Sequence, residues 1–370
     1  MRGYQKIQIP FLPQFNQIKK YLKVIDETKI YSNFGNLYLD LKFRLENYFH
    51  NCINTVLTSS CTSALTGAIL AKSGYAKEDK NICIVPSYTF VGTIAAIISA
   101  GYTPFLFETE EDWDMDMSKI EELSFLGKIG LIVPVSIYGK NVDIDKWEFF
   151  TKKIKIPVVI DAAASFDTIS PNYFKKITNC VLCVSLHATK SFGIGEGGFI
   201  IFSKNENESK YIRAINFGFY KSRDSIGNSI NGKMSEYHAA VGLAALDAWE
   251  KKRNDFIAIR YKYLEIAATY GIPEYIICGD PISLSYCLLK KPYDLELKTI
   301  ENQLRKEKID YRLWYERGIH KLTQFSKLNT GDLTNSNVIS ESLVGIPMHL
   351  ELKTDDIKII LGSLKNILTH

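Results

Sequence analysis

Apolar residues in this chain come in short runs separated by helical patterns. Between about 50 and 205 the runs are Thr55-Val56-Leu57, Ile82-Cys83-Ile84-Val85, Pro104-Phe105-Leu106-Phe107, Gly130 to Val135, Val158-Val159-Ile160, Cys180 to Leu186 and Phe199 to Phe202. They hold almost no polar positions. A strand with one face in water alternates, whereas a strand covered on both faces does not. The runs predict an α/β fold with a buried, mostly parallel, seven-stranded sheet. Helices are expected at about 62–73, 89–100, 143–153 and 207–216, packed on that sheet. From Met234 one long helical pattern continues past Arg260 into Tyr263, with Ala239, Ala240, Leu243, Leu246 and Trp249 on one face. After about 275 the pattern changes. Ile282 to Leu289 reads as a strand, 295–307 as a helix and Tyr311 as part of a strand. An irregular stretch rich in Asn and Thr follows, then a last helix at 354–368. The chain is therefore read as a large domain, 1–248, and a small α+β C-terminal domain, 249–370.

Composition narrows the function classes. A chain of 370 residues is too long for one small core. Hydrophobic residues make up 46% and charged residues 23%, as in ordinary globular proteins. The net charge of +4 is spread out, so neither a nucleic-acid surface nor a membrane-binding patch is expected. The opening Met1-Arg2-Gly3-Tyr4-Gln5-Lys6 lacks the apolar segment of an export signal, and a cytoplasmic location is expected. The seven cysteines are scattered. Cys180 and Cys183 form a C-x-x-C inside an apolar strand with no second pair, which reads as buried thiols. The six histidines have no ligand spacing, and no metal is expected.

Candidate chemistry gathers at the carboxyl ends of proposed strands, where open α/β sheets build ligand crevices. Thr58-Ser59-Ser60-Cys61-Thr62-Ser63 follows one strand and opens a helix, leaving backbone N–H groups for an anion or serving as an ordinary cap. Phe90, in Pro86 to Thr93, stands where it could stack on a flat ring or fill the core. Asp161 ends a wholly apolar strand, where a carboxylate is costly unless a cation or hydrogen bonds accompany it. Lys190 lies between the strand Cys180 to Leu186 and the turn Gly193-Ile194-Gly195-Glu196-Gly197-Gly198, a backbone that can aim an amine at a pocket. Phosphate cradle, ring stack, acid and Schiff-base lysine are together the parts that hold pyridoxal phosphate.

The motifs extend this. Ser185-Leu186-His187-Ala188-Thr189-Lys190 with Gly195-Glu196-Gly197-Gly198, Pro86 to Thr93, Pro134-Val135-Ser136-Ile137-Tyr138-Gly139 and Asn231 to Ala240 resemble the DegT/DnrJ/StrS sugar aminotransferases of fold type I. Tyr31-Ser32-Asn33-Phe34-Gly35 resembles the family's N-terminal active-site loop, and Gly345-Ile346-Pro347-Met348 its C-terminal strand. The resemblance implies that Lys190 carries the cofactor and that Asp161 holds its pyridine nitrogen protonated. Phe90 would stack on the ring. Cys61 and Thr62 would give N–H groups to the phosphate, and Ser185 a hydroxyl. Asn231 would reach the cofactor of a neighbouring subunit, which implies a homodimer with composite sites. Cys61 stands where the family usually has glycine, and Ala164 where it often has Gln or His touching the cofactor's phenolic oxygen. Gly232 and Lys233 replace a common tyrosine and arginine.

The implied reaction moves an amino group from an amino acid, L-glutamate, to the keto group of a nucleotide-linked deoxysugar for surface-polysaccharide or capsule synthesis. Asn33, Arg312 and His320 are the candidate substrate contacts. Tyr311 to His320 departs from the small-domain segment of such enzymes, and Arg312 suits a phosphate or carboxylate. A small phosphorylated ketone such as dihydroxyacetone phosphate is therefore an alternative acceptor. A non-catalytic protein that retains the fold is the alternative of another class.

Overall fold

The computed structural model describes residues 4–368. Seven strands lie in the N-terminal two thirds: β1 (Ile53–Thr58), β2 (Ile82–Pro86), β3 (Thr103–Phe107), β4 (Ile129–Ile132), β5 (Val159–Asp161), β6 (Val181–Ser185) and β7 (Gly198–Ser203). Each coincides with an apolar run of the sequence. Two groups, β3-β2-β4 and β5-β6-β7-β1, join through parallel bridges Ile132 to Val158 and Val135 to Asp161. The result is one sheet in the order β3-β2-β4-β5-β6-β7-β1. β7 pairs antiparallel with both neighbours, and the other pairings are parallel. The carboxyl ends of six strands and the amino end of β7 thus share one edge. That edge carries the site.

Both faces of the sheet are covered. Leu57, Ile84, Ile132, Ile160, Leu182 and Phe199 pack on one side in a large apolar cluster with the helix Asn36–Tyr48. Val56, Val85, Leu131, Val159, Cys183 and Ile200 pack on the other with the helices Cys61–Lys72 and Val91–Ser99. Neighbouring strand residues alternate between these two clusters, both apolar, which explains the unbroken runs.

A separate apolar cluster runs from Phe256 to Leu368. It joins the antiparallel strands β8 (Ile276–Cys278), β9 (Cys287–Lys290) and β10 (Leu343–Ile346) to the helices Trp249–Tyr270, Leu297–Lys306 and Thr354–Leu368. The N-terminal segment pairs here, with Gln5 beside Ile309 and the Ile7 carbonyl accepting from Met348 N. After the helix Leu297–Lys306 the chain returns to the large sheet. Ile319 and Phe325 enter its core, and Leu106 N donates to the Asn329 carbonyl.

Four expectations change. The long helix is two, Glu236–Asp247 and Trp249–Tyr270, because Ala248 leaves helical geometry at φ −98°, ψ 0° and Trp249 turns into the ring cluster of Phe166 and Phe192. The strand expected from Ile282 begins only at Cys287, since Ser283 N bonds to the Tyr138 carbonyl and Leu284 N to Asp167 across the domain seam. Around Tyr311 there are only isolated bridges, Gln5 to Ile309 and Arg312 to Gly345. The Asn/Thr-rich stretch contains the helix Thr334–Ser342, held by Asn335 N on Glu108 and Ser336 Oγ under Thr109 N. Such tertiary bonds leave no periodicity.

Two N-terminal helices, Phe15–Thr28 and Asn36–Tyr48, flank the loop that holds Asn33. Glu236 is buried and accepts from Leu37 N at 2.8 Å and Tyr38 N at 3.1 Å. One carboxylate therefore caps a helix about 200 residues upstream and fixes the end of the loop. Gly35 makes room for it, as a Cβ there would lie 2.6 Å from Glu236 Cδ. Glu236→Ala should cost about 2 kcal/mol from the lost cap bonds. A urea-unfolding midpoint equal to the parent protein's would refute this.

Candidate active site

Seven of the candidate residues line one cavity of about 390 Å³ at the sheet edge: Cys61, Thr62, Phe90, Asp161, Ser185, Lys190 and Arg312. They come from five places in the fold, and the strand ends bring them together.

Ser60 caps the helix after β1, its hydroxyl accepting from Ser63 N at 3.1 Å. The amides of Cys61 and Thr62, the first in the helix, have no intrahelical acceptor to bond. Gly198 backs onto this start so closely that a Cβ would lie 2.7 Å from Cys61 N. Cys61 itself is helical, so its own Cβ is accommodated. Burial first, then Asp161, pushes its thiol pKa up against the opposing pull of Lys190, leaving a neutral neighbour for an anion. The Ser185 hydroxyl lines the same cavity and accepts from His187 N at 3.2 Å.

Asp161 is buried at the end of β5. Its Oδ2 accepts from Thr93 Oγ1 at 2.7 Å and its Oδ1 from Ala163 N at 3.0 Å. Burial raises its pKa, partly offset by those two donors and by Lys190. Such a carboxylate gains from a cation at its side. Lys190 is half-buried, and its amine donates to Tyr286 OH at 3.3 Å. Burial disfavours its charge, but Tyr286, Cys61 and Asp161 outweigh that and its pKa is raised.

Comparison with known proteins decides what this site serves. The model of the DegT/DnrJ/EryC1/StrS aminotransferase family matches residues 14–365. The chain belongs to that family. The enzyme is an aminotransferase with pyridoxal phosphate as cofactor. The dTDP-4-amino-4,6-dideoxy-D-glucose transaminase of Shigella dysenteriae is 27% identical over 97% of each chain. The UDP-2-acetamido-2-deoxy-3-oxo-D-glucuronate aminotransferase of Pseudomonas aeruginosa is 24% identical over 87% of this chain and 89% of its own. A solved Bacillus cereus structure assigned as a PLP-dependent aminotransferase superposes with a TM-score of 0.90 at 27% identity, over 98% of this chain and all of the other.

The aminotransferase's cavity fits that cofactor by its donor set. Unbonded helix-start amides and the Ser185 hydroxyl suit the phosphate, a buried carboxylate suits a pyridinium, and an amine suits an aldehyde. Ser136 adds a buried hydroxyl that lines the cavity without a protein partner.

Three candidates lie elsewhere. Asn33 sits at φ 65° on the exposed loop between the N-terminal helices. Asn231 is exposed, and its Oδ1 accepts from Lys233 Nζ at 2.7 Å. His320, the third, is not among the residues that line this cavity. Gly318 turns the chain at φ 107°, Ile319 N bonds to the Ser87 carbonyl, and the imidazole swings to Asn337 Oδ1 at 3.0 Å. Sequence reasoning missed Thr93, Ser136, Tyr286, Trp314 and Tyr315 as cavity residues. Thr93 had a usable signal, standing one helical turn after Thr89, to which it bonds at 2.8 Å. Tyr286 had none, because it lies in a loop placed by the other domain.

Among the described residues no group of His, Cys, Asp or Glu is arranged to hold a metal, and all seven cysteines are free. Among the described residues no helix is long and apolar enough to cross a membrane.

Proposed function

We propose that this aminotransferase moves an amino group from L-glutamate to the keto group of a nucleotide-linked deoxysugar, in the cytoplasm, for surface-polysaccharide or capsule synthesis. The reading takes the chain as a large cofactor domain, 1–248, and a small domain, 249–370. The carrying observation is the one cavity in which Lys190 and Asp161 face an aromatic wall and an open guanidinium. Tyr286, Trp314 and Tyr315 line it, with Tyr138 stacked behind Tyr315 at 5.6 Å. Arg312 is exposed at its rim, with its guanidinium 5.1 Å from the Trp314 ring centre. Aromatic faces suit a sugar ring, and a guanidinium suits a phosphate or carboxylate. The sugar-nucleotide relatives support the same acceptor class.

When bound, pyridoxal phosphate supplies an aldehyde that carries the amino group and a ring that withdraws electrons. The chain's residues do the rest. Asp161 keeps a proton at the pyridine nitrogen, and Thr93 and Ala163 hold the carboxylate in place for it. Cys61, Thr62 and Ser185 fix the phosphate end. Phe90 covers one face of the ring. The Lys190 amine would take a proton from the donor's Cα, hold it, and give it back when the amino group is passed to the acceptor. Arg312 orients the acidic end of the acceptor.

The reading includes a homodimer with composite sites. Phe15, Leu39, Phe43 and Tyr237, on neighbouring helices, are all exposed large apolar residues, and Tyr31 stacks on Tyr237. Asn33 and Asn231 lie outside their own cavity, on surfaces from which a partner's site could be reached. A single sedimenting species of monomer mass at micromolar concentration would refute the dimer.

Half-reactions test the acceptor. The amine-charged enzyme should convert dTDP- or UDP-linked keto-deoxysugars at least tenfold faster than dihydroxyacetone phosphate, and the reverse order would select the small ketone. Arg312→Ala should lower acceptor turnover by about tenfold or more, on the scale of one charge-assisted contact. The glutamate half-reaction should hold, and an equal loss in both halves would remove the acceptor role from Arg312.

A further inference from the structure

The turn that carries Lys190, the strand end that carries Asp161 and the small-domain loop that carries Tyr286 meet at one carboxylate, Asp167. Its Oδ1 accepts from Ser191 Oγ at 2.5 Å and from Ser283 Oγ at 2.7 Å. Its Oδ2 accepts from Leu284 N at 2.7 Å. Ser191 follows Lys190 directly. Ser283 and Leu284 sit just before Tyr286, whose N–H donates to the Ser283 carbonyl at 3.0 Å. Asp167 follows Asp161 by six positions. None of these bonds is needed to close a helix or a strand. All of them act on the two ends of the Lys190–Tyr286 contact.

The loop has a second seat that fixes its depth. Ser283 N donates to the Tyr138 carbonyl at 2.9 Å, and a Cβ on Gly139 would come within 2.9 Å of Ser283 Cβ. The Tyr286 ring is then wedged edge-on between Tyr138 at 5.4 Å and Trp314 at 5.3 Å. Its hydroxyl has little choice of direction. It meets the amine.

We propose that Tyr286 is a positioning residue for the Lys190 amine, and that Asp167 clamps the lysine turn to the small-domain loop so that this hydrogen bond is held in register. The freed amine must swing between the cofactor and the substrate's Cα, and a fixed acceptor restricts where it waits. The clamp also gives the small domain a direct hold on the reacting amine. This rests on Lys190 being the amine that carries the cofactor.

The test uses the full chain and two readouts. The first is the pH dependence of Lys190 acetylation by acetic anhydride in the cofactor-free protein, followed by peptide mass spectrometry. The groups that favour the amine's charge are Tyr286, Cys61 and Asp161. His187, Glu196 and Arg312 share its cavity, and Lys252 lines a narrow pocket behind it. All but Tyr286 stay constant across the variants. Tyr286→Phe removes an acceptor of the ammonium, so the amine should titrate at lower pH and react faster at a given pH. Asp167→Asn keeps an oxygen for the serines but turns an N–H₂ toward Leu284 N, and should move the profile the same way. The double variant should move it no further, since both act through one contact.

The second readout is the holoenzyme. Each variant should lower kcat about tenfold, the scale of a misplaced proton-transfer group, with KM for the amino donor nearly unchanged. Ser191→Ala, a milder cut of the same clamp, covers the case in which Asp167→Asn fails to fold, and should shift the acetylation profile in the same direction. An unchanged profile in Tyr286→Phe would overturn the positioning role. An unchanged profile in folded Asp167→Asn, or in Ser191→Ala where the first does not fold, would overturn the clamp. Lys190→Ala separates these failures from a failure of the reading they rest on: if it stays active, the lysine assignment itself is wrong.

Discussion

Lys190→Ala is expected to lose activity by about 10³-fold or more, because it removes the amine proposed to carry protons at the substrate's Cα. The fold should survive. Cys61, Thr62 and Ser185, the proposed holders of the cofactor's phosphate end, lie on β6 and on the helix after β1, away from the lysine's own turn. The variant should therefore still bind pyridoxal phosphate while losing the visible absorption band of the lysine-linked form. Removing the ammonium also removes one of the influences that hold down the Asp161 pKa, so that carboxylate rises further. Absorbance spectra and single-turnover rates check the two claims separately. A variant that keeps both band and rate would sink the assignment.

Asp161→Asn carries the second large effect, and it should act in opposite directions on stability and on rate. The folded-state pKa of Asp161 is raised by burial. Ionising it therefore costs stability in the cofactor-free chain. The cost is absent below the ordinary carboxylate range and complete above the raised folded value, so stability falls as pH rises through that window. Asparagine removes the charge and keeps the bonds. Its oxygen can accept from Ala163 N, and its N–H₂ can donate to Thr93 Oγ1, which can turn its own hydrogen to Thr89. At neutral pH the cofactor-free variant should melt higher than the parent protein. With the cofactor bound, the order should reverse, because the pyridinium loses its counter-charge. Turnover should drop by about 10²-fold or more. Melting curves of both forms and kcat decide it. A parent protein that melts higher without cofactor would refute the buried-charge account.

Glu236 and Asp161 show why the two effects differ in kind. Both are buried acids. Glu236 faces two backbone N–H groups at a helix start and belongs to the fold. Asp161 has one hydroxyl and one N–H, and an open cavity beside them. The spare capacity of its carboxylate is what suits it to a cationic ligand.

The large sheet was legible in the sequence because burial on both faces writes itself as unbroken apolar runs. All seven strands follow from it. The shared placement of the candidate cofactor residues was legible for a related reason. Each stands within a few residues of a strand's end, and the rule that strands of a parallel sheet end on one edge brings Cys61, Phe90, Asp161, Ser185 and Lys190 together without knowledge of their contacts. The small domain was less legible. Its short antiparallel strands and the helix Thr334–Ser342 depend on bonds to the large domain, which local periodicity does not record.

His320 and Tyr286 mark the boundary. Both were in view as residues of the small domain, and nothing local separates a residue that faces the cavity from one that does not. The direction of His320 was set by Gly318 and Asn337, and that of Tyr286 by Asp167 and Tyr138. The sequence by itself determined the sheet, the cofactor class and the lysine proposed to carry it, because these rest on hydrophobic periodicity and on residues tied to strand ends. Only the tertiary structure decided which small-domain side chains meet that lysine, because their directions are fixed by hydrogen bonds between segments more than 100 residues apart.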